Sequence, residues 1–78
     1  MRDRRHTRKK DNVFGKNLER CRIMNMYNTD ELARAIRASS ELIKDLEAGR
    51  KKPRPETIEK ICRVLNVTAE ELTGVDNG

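Results

Sequence analysis

The sequence predicts an all-α domain, and three observations carry that prediction. Apolar residues recur at three- and four-residue spacings, capping residues stand ahead of each recurrence, and no segment alternates apolar and polar residues as a half-buried strand would. A chain of 78 residues has room for one domain, near the lower size at which a core holds without disulfides or metal. Hydrophobic residues make up 35% of it and charged residues 40%, so the core must come from a few positions per helix.

Each element follows from local chemistry. Residues 1–12 hold no apolar residue after Met1 and carry six basic side chains against two acidic ones, which predicts a flexible basic arm. Asp11 or Asn12 can cap a first helix to about Met24, with Phe14, Leu18 and Cys21 on one face. Asn28-x-x-Glu31 is a capping box that opens a second helix whose inner stripe is Leu32, Ala33 and Ile36. Beyond an Arg37-Ala38 turn, Ser39 caps a third helix with Ile43 and Leu46 inward, and Gly49 stops it. The run from Arg50 to Pro55 is a stiff basic loop, and Pro55 suits the first position of a fourth helix. Ile58, Ile61, Cys62 and Leu65 give that helix its buried stripe. Thr68-x-x-Glu71 opens a short fifth helix that packs Leu72, and residues 75–78 form a tail. The domain itself is expected over 13–74.

Composition excludes several function classes. Phe14 and Tyr27 are the only aromatic residues, so the chain has no ring platform on which to stack single-stranded bases. Cys21 and Cys62 are far apart and His6 is the only histidine. No metal site and no cofactor are therefore expected, and the cysteines read as small buried hydrophobes in a reducing compartment. Ser39 and Ser40 have no histidine in the folded region to activate them, so no enzyme is expected. No apolar run reaches the length of a signal-peptide core or a membrane span. The chain is therefore expected to be soluble and intracellular.

A net charge of +5 points to an anionic partner, and its distribution matters more than its total. Outside the arm, twelve basic residues nearly balance eleven acidic ones. Basicity is thus concentrated in the arm and in the loop after the third helix.

Asn28 to Gly49 reads as two short amphipathic helices joined by a tight turn, with small Ala33 at their crossing. Together with Phe14-Gly15-Lys16, Glu31-Leu32-Ala33, Ser39, Ile43, Leu46-Glu47-x-Gly49, Pro53 and the run Leu65 to Leu72, this pattern resembles the lambda-repressor-like, Cro/cI-type (XRE family) helix-turn-helix domains. The resemblance covers about Phe14 to Thr73, and it implies a cytoplasmic, nucleoid-associated protein in a bacterial, archaeal or phage setting. It implies a five-helix DNA-binding fold and a sequence-specific regulator of transcription, a repressor by preference, with the third helix in the major groove of double-stranded DNA. It further implies a structural ion pair between Arg22 and Glu47. The family's usual Thr-Gln pair at the start of the second helix is Asn28-Thr29 here, and its turn glycine is Arg37, which would then sit in a left-handed conformation at a cost of about 1 kcal/mol.

By the same resemblance, the DNA-facing residues are Ser39, Ser40, Glu41, Leu42, Lys44 and Asp45 on the third helix and Thr29 on the second. Arg50, Lys51, Lys52 and Arg54 of the loop, with Arg4, Arg5, Arg8, Lys9 and Lys10 of the arm, would contact phosphates or the minor groove. Glu41 and Asp45 can accept from cytosine N4. Their acidity also motivates a rival reading, a protein-interaction module on the same fold, antitoxin-like or anti-repressor, with weak or nonspecific DNA binding. A third reading is nonspecific coating of DNA. Met24 and Met26 near Tyr27 read as core or loop packing, with the lining of a partner pocket as the alternative. Val67, Leu72 and Val75 offer a seam for a homodimer on a pseudo-palindromic site.

Overall fold

The computed structural model describes residues 13–74. The arm, the cap at Asp11 or Asn12 and the tail lie outside them. Five helices follow in order: α1 (Val13–Met24), α2 (Thr29–Ala35), α3 (Ser40–Ala48), α4 (Pro55–Leu65) and α5 (Ala69–Thr73). Among the described residues there is no strand. Helix α1 packs against α3 and α5, α2 against α3 and α4, and α4 against α5.

The predicted caps form. The Asn28 side chain accepts from the Glu31 amide at 2.7 Å while the Glu31 carboxylate accepts from the Asn28 amide at 2.9 Å. Thr68 and Glu71 repeat that exchange at 3.1 and 2.9 Å. Ser39 Oγ accepts from the Leu42 amide at 3.2 Å, and Gly49 ends α3 in a left-handed conformation with φ 82°. Such caps satisfy amides and carbonyls that a helix cannot satisfy within itself. Pro55 occupies the first turn of α4, where a missing N–H removes no helical bond.

Every helix contributes to one core of Leu18, Leu32, Ala33, Ile36, Ile43, Leu46, Ile61, Leu65 and Leu72. Phe14, Cys21, Ile58, Cys62 and Val67 pack around it, half-buried. Each large apolar side chain buried this way contributes about 1.5–3 kcal/mol relative to exposure.

Two expectations are corrected. Met24 and Met26 do not pack: they are 73% and 87% exposed, because α1 ends there and Met26 takes a left-handed turn conformation with φ 63°. Tyr27 alone of that group turns back onto the core. Leu72 is 0% exposed, buried in its own domain against α1 and α4, so it cannot form a dimer seam. Val67 is half-buried against the same core, and Val75 lies outside the described residues.

Candidate nucleic-acid interface

The turn between α2 and α3 is built from backbone bonds and one strained residue. The Ala38 amide donates to the Ala33 carbonyl at 2.7 Å and the Arg37 amide to the Arg34 carbonyl at 3.1 Å. Arg37 has φ 61°, the left-handed conformation that the replaced turn glycine implies. Ala33 is 3% exposed; its methyl group leaves room for the two helices to approach.

The angle of α3 is held from a distance by Arg22. Its Nε donates to Glu47 Oε2 at 2.6 Å, its Nη2 to Oε1 at 3.2 Å, and its Nη1 to the Tyr27 carbonyl at 2.9 Å. Both side chains are nearly buried, 11% and 13% exposed. The hydrogen bond to Glu47 raises the Arg22 pKa further, against the opposing effect of burial. The implied pair thus fixes the end of α3 to α1 and to the α1–α2 loop. The Tyr27 carbonyl is a partner that no sequence pattern reveals.

On the outer side of α3, Glu41 and Lys44 are exposed and Ser40 is half-buried. Among the described residues neither Glu41 nor Lys44 forms an ion pair. Asp45 does: its Oδ1 accepts from Arg50 Nε at 3.0 Å, and the Arg50 amide donates to the Asp45 carbonyl at 2.9 Å. Two residues expected to face DNA therefore hold each other at the C-terminal end of α3. Leu42 is half-buried and packs toward the core.

The loop after α3 brings its cations beside Leu42 and Leu46 of that helix. Lys51, Lys52 and Arg54 are exposed around half-buried Pro53. With Leu42 and Leu46 they line a groove of about 460 Å³ that also includes Glu56 and Lys60 of α4, so its four cations face one carboxylate. Lys60 escaped the sequence reading, although its place opposite the Ile58, Ile61 and Leu65 stripe marked it as outward-facing. Arg54 also lies 3.8 Å from Glu56, both largely exposed. Thr29, half-buried at the first position of α2, is separated from this loop in sequence but belongs to the helix that crosses α3. The arm residues Arg4, Arg5, Arg8, Lys9 and Lys10 lie outside the described residues. A wider groove of about 730 Å³ between α4 and α5 is lined by Glu56 and Glu59, the wrong sign of charge for a polyanion. Among the described residues, no cluster of three or more metal-ligating side chains occurs, and no helix is long and apolar enough to cross a membrane.

The family model for the helix-turn-helix domain matches residues 13–73. The chain belongs to the helix-turn-helix family. In this helix-turn-helix domain, α2 and α3 form the motif, and α3 stands where the motif carries its recognition helix. Two crystal structures of the clp gene regulator ClgR from Corynebacterium glutamicum share the fold. One has a TM-score of 0.76 at 27% identity, over 81% of this chain and 67% of that one. The other has a TM-score of 0.74 at 27% identity, over 81% and 82%. No curated protein matches the sequence at comparable stringency.

Proposed function

We propose that this helix-turn-helix domain is a sequence-specific, double-stranded-DNA-binding regulator of transcription that acts as a repressor. One observation carries the reading: beside α3, four cations, Lys51, Lys52 and Arg54 of the following loop and Lys60 of α4, line one groove with Leu42 and Leu46 of that helix and a single carboxylate, Glu56. Base edges would be read by Ser40, Glu41 and Lys44, while Thr29, Ser39, Arg50, Lys51, Lys52 and Arg54 contact backbone. Arg4, Arg5, Arg8, Lys9 and Lys10 would extend the phosphate contacts along the duplex. The ClgR structures, named for a clp gene regulator, support a regulatory role. No cofactor, metal or enzymatic step enters this reading, and it places the protein in the cytoplasm with the nucleoid.

A two-fold pair would set two α3 helices about 34 Å apart on a pseudo-palindromic site. Light scattering with and without DNA tests that pairing. Selection from random duplexes at physiological salt tests the reading as a whole. An enriched motif whose binding weakens on joint Ser40→Ala and Lys44→Ala substitution is the expected result, and the absence of any motif would refute it.

The protein-interaction reading keeps one observation in its favour, the exposed Ile23, Met24 and Met26 at 57%, 73% and 87%. Chemical-shift mapping with duplex DNA separates the two readings. Perturbation limited to the arm and Arg50 to Arg54 and absent from α3 would favour protein interaction.

A further inference from the structure

The acidity of α3 is the feature a DNA-binding reading has to explain, and the structure divides it into two unlike parts. Asp45 is occupied: Arg50 neutralises it at 3.0 Å. Only Nε of Arg50 is engaged there, so its remaining guanidinium N–H groups are free to donate to a phosphate. Glu41 is exposed, and Lys44 stands three residues later on the same face, also exposed. Residues three apart on a helix are neighbours with Cβ atoms about 5–6 Å apart. The outer face of α3 with Arg50 therefore carries two anions and two cations, and of these four charges only Glu41 and Lys44 are free to meet a base.

Their chemistry is complementary. An ionised carboxylate only accepts hydrogen bonds and an ammonium only donates them. In the major groove guanine offers two acceptors, thymine an acceptor and a methyl group, adenine a donor beside an acceptor, and cytosine a donor alone. A pure acceptor is repelled by guanine N7 and O6 and by adenine N7, which leaves cytosine N4 as its match. A pure donor finds its best match in guanine O6 and N7.

Resting on the reading that α3 occupies the major groove, we infer that Glu41 and Lys44 act as a coupled pair of base readers that selects C·G in each half-site. Glu41 accepts from cytosine N4, and Lys44 donates to guanine O6 or N7 of the same pair or the one stacked on it. The neighbouring ammonium also offsets the repulsion between Glu41 and the phosphates. Being in the first turn of α3, Glu41 is favoured by the helix dipole in the free protein as well, so the deciding readout is base preference, not stability or overall affinity.

The test is parallel selection from random duplexes, at one fixed salt concentration, by the full chain and by Glu41→Gln and Lys44→Gln variants, with thermal melts confirming that each variant folds. The wild type is expected to enrich a C·G pair, preferred over A·T by roughly five- to 150-fold in subsequent titrations, the span of one good base contact. Glu41→Gln should move the preference from cytosine to adenine, because an amide both accepts and donates. Lys44→Gln should weaken the guanine preference in the same step of the motif. A wild-type motif whose base preference is unchanged by Glu41→Gln overturns the inference while leaving α3 as the reading helix. Absence of any wild-type motif overturns both.

Discussion

Arg22 and Glu47, 25 residues apart in sequence, are joined by two hydrogen bonds between nearly buried side chains. The guanidinium's third bond, to the Tyr27 carbonyl, makes Arg22 the common anchor of α1, the loop before α2, and the end of α3. Losing one partner leaves the other charge poorly solvated, which costs more than the intact pair contributes.

Glu47→Ala is accordingly expected to lower stability by about 3 kcal/mol, seen as a lower urea midpoint with unchanged slope. Joint Arg22→Met and Glu47→Leu substitution should recover most of that stability, since an apolar pair fills the space without stranding a charge. A double variant no better than Glu47→Ala would show that the Tyr27 carbonyl bond dominates.

Arg37 holds a left-handed conformation with φ 61° on an exposed turn. Arg37→Gly removes the Cβ clash of about 1 kcal/mol and adds some unfolded-state entropy, so a net gain of up to about 0.5 kcal/mol is expected. In a domain this small that raises Tm by up to about 2–4 °C. Asn66, with φ 58°, should gain less from the same change, because asparagine tolerates this conformation. Equal shifts at both positions would contradict the strain argument.

Burial pushes the thiols of Cys21 and Cys62 above their usual range. For a raised pKa the unfolded chain ionises first, so the contribution to stability is complete below the ordinary thiol value of about 8.5 and is lost as pH rises past it. Urea midpoints measured from pH 7 to 10 should therefore fall more steeply for the wild type than for a Cys21→Ala, Cys62→Ala variant. Parallel curves would rule this out.

Lys51, Lys52 and Arg54 are exposed around the groove beside α3. Replacing all three with glutamine should flatten the dependence of log K on log salt by about 0.9 for each phosphate no longer neutralised, with little change in base preference. Asp45→Asn should act in the opposite direction by removing the carboxylate that neutralises Arg50. If the triple variant leaves the salt slope unchanged in filter-binding titrations, the phosphates are held by other residues.

Much of the domain was legible in the sequence because its signals are local. Asn28 with Glu31, Ser39, Gly49, Pro55 and Thr68 with Glu71 mark helix ends through bonds within a few residues. The stripes at Leu32, Ala33 and Ile36 and at Ile58, Ile61 and Leu65 mark inner faces by period alone. Arg22 with Glu47 was legible only through family resemblance, because no spacing rule links two residues on different helices.

Other features had no local signal. Leu72 looked equally suited to a core or a dimer seam, and Met24 and Met26 looked like packing residues. Which apolar side chains are covered depends on where the other helices lie. Asp45 and Arg50 are each ordinary surface residues in sequence, and the left-handed Gly49 between them is what turns the chain back and brings their side chains together. The sequence by itself determined the helices, their ends and their buried faces, since hydrogen bonding and periodicity act over a few residues. Only the tertiary structure decided which charges of α3 are neutralised and which remain for a partner, because electrostatic pairing depends on distances that folding sets.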